Sequence, residues 1–171
     1  MKNIVLILLL PVFLLKVNTA EGQNYKSSDM KSEIPVYIGT YTKKEGHVDG
    51  KAQGIIRLSY HPETRKLEKG STAVEITNPS YVKTSPDGQF LYAVSELGPG
   101  DAASGFVYSY KIGEDGGLQV LSRLSTEGFA PCHIELDRSG KYVFVSNYSG
   151  GVVMVYRSRE DGVLELSLIH I

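Results

Sequence analysis

The chain is 171 residues long, with 18 Lys and Arg against 19 Asp and Glu, a net charge of −1 with histidine neutral. That balance excludes the basic stripe with which a nucleic-acid-binding surface neutralises phosphates, and 42% hydrophobic with 22% charged residues is a globular composition, not a disordered one. The single cysteine, Cys132, excludes an intrachain disulfide framework and any Cys-x-x-Cys metal or redox motif.

Met1-Lys2-Asn3 gives a positive start, and Ile4 to Leu15 is an apolar run interrupted by Pro11 and ended by Lys16. A spanning helix needs about 20 apolar residues, so the run is too short to cross a bilayer. It reads as the hydrophobic region of a secretory signal peptide over residues 1–22, with cleavage after Ala20 or Gly22. Residues 23–33 are polar and aperiodic, a linker. The mature protein is expected to be exported, periplasmic or extracellular, with no membrane attachment once the leader is removed.

The remainder repeats. Pro79 to Glu96 aligns without a gap on Pro131 to Tyr148, matching Pro79 with Pro131, Gly88 with Gly140, Phe90 with Tyr142 and Tyr92 with Phe144. Each segment is two apolar-rich runs joined by a turn, Pro86-Asp-Gly88 or Arg138-Ser-Gly140, the pattern of a β-hairpin. A third strand follows at Gly105–Tyr110 and at Gly151–Tyr156, and a fourth begins at Leu118 and at Leu164. Earlier in the chain, Val36–Tyr41, Ile55–Tyr60 and Leu67–Ile76 match strands two to four of the same unit.

Four short antiparallel strands at this repeat length mark a β-propeller blade. The chain lacks Trp altogether, so the Trp-Asp signature of WD repeats is absent. A two-sheet sandwich would not explain why like strands recur in register. The expected fold is therefore all-β: blade one over 34–76, blade two over 79–125 and an incomplete blade three over 131–171. Three blades cannot close a ring of four to eight, so the chain is expected to be the N-terminal part of a longer propeller. The first strand of blade one would then come from elsewhere in the protein.

The strand Tyr37-Ile-Gly-Thr-Tyr-Thr42, the run Tyr92-Ala-Val-Ser-Glu96, and Pro131-Cys-His133 followed by Ser146-Asn-Tyr-Ser-Gly-Gly151 resemble the seven-bladed lactonase family. Its members include the propeller-type 6-phosphogluconolactonases, with fungal carboxymuconate cyclase as a relative. The resemblance runs from about residue 35 to 166. It implies seven blades, a chain about twice this length, and hydrolysis of a lactone. It further implies catalytic His and Arg residues in blades beyond those present.

Antiparallel pairing brings the start of strand one beside the end of strand two. This gathers Thr40 and Tyr41; Ser80, Tyr81, Ser95 and Glu96; and Cys132, His133, Asn147 and Tyr148 at one mouth, the usual place for a small-molecule site on a closed β architecture. Lactone hydrolysis needs a base for water and donors for the oxyanion. His133 is the candidate base, because imidazole titrates near neutrality. Glu96 is either its orienting partner or the base itself, and Asn147, Tyr148, Tyr41 and Tyr81 are candidate substrate-binding groups. Structural roles stay open for each. His133 could bond a loop carbonyl, Glu96 could solvate the loop 97–105, Asn147 could cap the Ser149-Gly-Gly151 turn, and the tyrosines could pack the blades.

No cofactor or metal is implied, because His47, His61 and His170 lack ligand spacing. The expected partner is a small sugar lactone, without nucleic acid, and the full-length protein is expected to be a monomer. Two other readings fit the scaffold: an isomerase resembling the muconate cyclase, and a non-catalytic exported propeller that binds carbohydrate or protein.

Overall fold

A computed structural model describes residues 33–45 and 48–170. The expected leader, the linker up to its last residue, and His47 lie outside the described residues. Among the described residues there is no helix, and all but a two-strand hairpin belongs to three antiparallel sheets. The first sheet runs β1 (Ile34–Ile38), β4 (Gly54–His61), β5 (Lys66–Glu75); between β1 and β4 sits the hairpin of β2 (Lys44–Glu45) and β3 (Val48–Asp49). The second runs β6 (Val82–Thr84), β7 (Phe90–Ser95), β8 (Phe106–Ile112), β9 (Leu118–Ser125) in sequence order. The third does the same with β10 (Phe129–Leu136), β11 (Tyr142–Ser149), β12 (Val153–Ser158) and β13 (Leu164–His170). Four-stranded antiparallel meanders are what the repeat called for. In the third sheet the fourth strand begins at Leu164, where the repeat places it, and pairs with β12 through His170.

Side chains alternate across a strand, and β7 shows what that does here. Tyr92 and Val94 join a core with Val107, Ile134, Val143, Val145, Met154, Tyr156 and Leu164, between the second and third sheets. Leu91 and Ala93, on the opposite face, join Ile55 and Tyr110 between the first and second. A strand buried on both faces carries no alternating polar residue, which is why Leu91 to Val94 is a continuous apolar run. Each fully buried aliphatic or aromatic side chain contributes about 1.5–3 kcal/mol through removal from water. The sheets are thus stacked by their faces, and the strand ends are left free for other work.

Gly88 and Gly140, in the turns before β7 and β11, both have φ of 71°. That left-handed conformation carries little penalty for glycine and strains other residues.

Candidate active site

At the end of the sheets away from these turns, two pairs of side chains meet across sheet boundaries. Tyr41, just beyond β1, donates its hydroxyl to Glu96 Oε2 at 2.9 Å. The second pair is Tyr81, just before β6, and His133 of β10, whose rings lie 4.8 Å apart between centroids and are tilted by 58°. Tyr81 and His133 occupy the same position in successive repeats. So do Lys83 and Glu135 two residues further along, and these form an ion pair with Nζ 2.9 Å from Oε1. The ammonium holds the Glu135 carboxyl below its usual range, chiefly through the hydrogen bond, with the neighbouring His133 adding to the effect.

A irregularity in the β10–β11 register between Pro131 and His133 re-aims this stretch of β10. His133 is solvent-exposed while Ile134 beside it is fully buried. Cys132 links the two pairs: its thiol is pushed up by burial first, and then by the negative charge of Glu96. Its Sγ lies 3.8 Å from the Ser146 carbonyl oxygen.

The other candidates fall differently. Tyr148 is 84% exposed and projects into solvent. Asn147 is buried, and its Nδ2 donates to the carbonyls of Thr126 at 2.9 Å and Val152 at 3.1 Å. Both amide hydrogens are therefore used in holding the β9–β10 connection and the turn after β11, leaving Oδ1 without a partner among the described residues. Ser95 works similarly, donating to the Thr77 carbonyl at 2.7 Å.

Two features were not visible in the sequence. Lys83 and Glu135 sit on the site's edge, but only the register of two separate strands brings them together. A latch also crosses the site's rim, where Lys43 Nζ lies 2.6 Å from Asp101 Oδ1. A separate cleft of about 290 Å³ opens between the turns at the opposite end, bordered by Ser85, Phe90, Lys141 and Arg159. It includes none of the candidate catalytic or substrate-binding residues, and Arg159 there is already paired with Asp161 and Glu165.

Stacked four-stranded antiparallel meanders with polar residues gathered at the ends of their inner strands define a β-propeller module. The chain belongs to the seven-bladed β-propeller lactonase family, whose pattern it matches over residues 35–170. It is 32% identical over 130 residues to a 6-phosphogluconolactonase of Bacillus subtilis, covering 75% of this chain and 34% of that protein. It is 28% identical over 131 residues to a 6-phosphogluconolactonase of Formosa agariphila, covering 76% of this chain and 35% of that one. The solved structure of the periplasmic gluconolactonase of Pseudomonas aeruginosa superposes with a TM-score of 0.68 at 28% identity, over 81% of this chain and 37% of its own. The chain spans about a third of the length of these relatives.

Proposed function

We propose that the protein opens a sugar lactone to its acid by base-activated water, and that it does so after export. The observation that carries this reading is an exposed imidazole, His133, set against Tyr81 at the strand ends of a lactonase-family propeller. His133 takes a proton from water as the water oxygen attacks the lactone carbonyl. The carbonyl becomes a tetrahedral oxyanion, which a phenol hydroxyl such as that of Tyr81 is suited to stabilise. Collapse breaks the bond to the ring oxygen. The imidazolium returns its proton to that oxygen, giving the open hydroxy acid. Glu96, held by Tyr41, carries a negative charge at the same strand ends.

An unphosphorylated lactone fits best. The two lysines beside the cluster, Lys43 and Lys83, are each paired with a carboxylate, Asp101 and Glu135, so neither is left for a phosphate. The named periplasmic gluconolactonase among the similar structures is in keeping with export and with this substrate class. No helix of the described residues is long and apolar enough to cross a membrane.

The test is hydrolysis of glucono-δ-lactone and of its 6-phosphate by the full-length protein without its leader, beside His133→Ala and Glu96→Gln. The expected result is preference for the unphosphorylated lactone and a fall of at least about a hundredfold in one or both variants, about 2.7 kcal/mol of lost barrier lowering. No turnover above background on either lactone would leave a propeller that binds without catalysis.

A further inference from the structure

Tyr41 and Glu96 come from different sheets, and something must hold their strand ends in register. Asn78 does so through both its backbone and its side chain. Its Oδ1 accepts from the backbone N–H of Thr42 at 3.0 Å, from that of Lys43 at 3.3 Å and from the Thr42 hydroxyl at 3.3 Å. The Asn78 N–H donates back to Thr42 Oγ1 at 3.1 Å. On the other side, Asn78 Nδ2 donates to the Glu96 carbonyl at 3.3 Å, and the Glu96 N–H donates to the Asn78 carbonyl at 2.9 Å. One fully buried amide thus grips the residue after Tyr41 with one end and Glu96 itself with the other.

The backbone at Asn78 has φ of 45°, a left-handed conformation that Asn tolerates better than most residues. Its counterpart in the next repeat, Ala130, has nearly the same φ of 52° but no side chain able to make these bonds. The backbone kink belongs to the repeat, whereas the amide is particular to the junction that carries Tyr41 and Glu96.

We propose that Asn78 is a positioning residue that sets the Tyr41–Glu96 pair at the candidate site. The use of that pair in hydrolysis rests on the function proposed above; its placement by Asn78 does not. Cys132, whose alkylation is read by mass spectrometry on its own peptide, reports placement separately from activity, because its thiol sits in the field of Glu96.

The experiment follows the rate of Cys132 alkylation by iodoacetamide against pH in the full-length protein, with folding checked by circular dichroism. Glu96→Gln removes the negative charge that, after burial, raises the thiol, so alkylation at neutral pH should rise above the native rate. Asn78→Gly keeps the φ accessible but deletes the amide, and should move the rate toward the Glu96→Gln value. In the double variant, adding Asn78→Gly to Glu96→Gln should change nothing further, because the group being positioned is gone. A folded Asn78→Gly protein with the native alkylation profile would overturn the proposal. If Asn78→Gly does not fold, Thr42→Val, which removes one hydroxyl of the same network, should show the shift in smaller measure, and a native profile there overturns it equally. Lactone hydrolysis by the same set separates the two claims. A shifted thiol profile with hydrolysis indifferent to Glu96→Gln upholds the positioning role and overturns the catalytic use of Glu96.

Discussion

In the second sheet, β6 and β7 are joined through Ser85-Pro-Asp-Gly88; in the third, β10 and β11 are joined through Asp137-Arg-Ser-Gly140. The serine and the acid have exchanged places, yet the bonds are the same. Phe90 N–H donates to Ser85 Oγ at 2.9 Å, and Tyr142 N–H donates to Asp137 Oδ1 at 2.8 Å. In each turn the hydroxyl donates to the carboxylate at 2.5 Å, from Ser85 to Asp87 and from Ser139 to Asp137. Either residue supplies the acceptor that the tight turn needs. At the other end of the same strands no such equivalence holds: Tyr81 is replaced by His133, Lys83 by Glu135, and Glu96 by Tyr148. There the replacements complement their counterparts across the sheet boundary, ring against ring and ammonium against carboxylate. The turn end is held to one hydrogen-bond pattern by backbone geometry. The strand ends, which the stacked cores do not require, are where blades differ in chemistry.

The largest expected effect tests whether that difference is functional. His133→Ala should lower lactone hydrolysis by at least about a hundredfold, while Tyr81→Phe, which keeps the ring face against His133 and removes only the hydroxyl, should lower it less. Steady-state kinetics on the full-length protein decide the matter. Equal losses would mean that the Tyr81 hydroxyl does as much in the reaction as the His133 imidazole, and the asymmetry argued from the strand ends would fail.

The repeat was legible because the strands are short, apolar and punctuated by Asp-Gly and Ser-Gly turns, signals that act over a few residues. The site was legible in part. His133 and Tyr81 follow from their place at strand starts, but Tyr41 and Glu96 are 55 residues apart and lie on different sheets, and nothing local couples them. Asn147 shows the opposite difficulty: an asparagine at a strand end suits a ligand or a turn equally well, and only its two carbonyl contacts show which bonds it makes. The β2–β3 hairpin carries no such signal, because its strands are two residues each and rich in charge. Asn78 carries none either, because the residue before a proline is ordinarily extended and its left-handed φ runs against that expectation.

A smaller effect sharpens the comparison inside the core. Tyr110 of β8 and Tyr156 of β12 hold the same repeat position, and both are fully buried, with burial pushing each phenol well above its ordinary range. The Tyr156 hydroxyl donates to the Ser125 carbonyl at 2.6 Å, whereas the Tyr110 hydroxyl has no hydrogen-bond partner among the described residues. Tyr156→Phe should therefore cost about 1 kcal/mol, and Tyr110→Phe should be neutral or stabilising, because it removes a buried polar atom that makes no bond. Urea unfolding of the two variants measures both. A loss at Tyr110 as large as that at Tyr156 would show that its hydroxyl is bonded after all.

The smallest effect concerns the two turns and is read from pH. The Ser85 hydroxyl and then the Gln89 N–H hold the Asp87 carboxyl below its ordinary range; the Ser139 hydroxyl and then the Tyr142 N–H do the same for Asp137. A carboxyl depressed in the folded state adds stability that is present in full above its unfolded pKa and is lost as pH falls through the folded value. The melting temperature should thus be flat from neutral pH to about 5 and decline below about 4, where an ordinary Asp begins to bind its proton. Asp87→Asn and Asp137→Asn should each make that decline shallower, and by similar amounts, because both carboxyls sit in the same ring of bonds. Similar slopes would confirm that exchanging serine and acid leaves the turn's energetics unchanged. A marked difference would mean that the place of the charge in the turn matters, and that the two turns are alike in geometry alone.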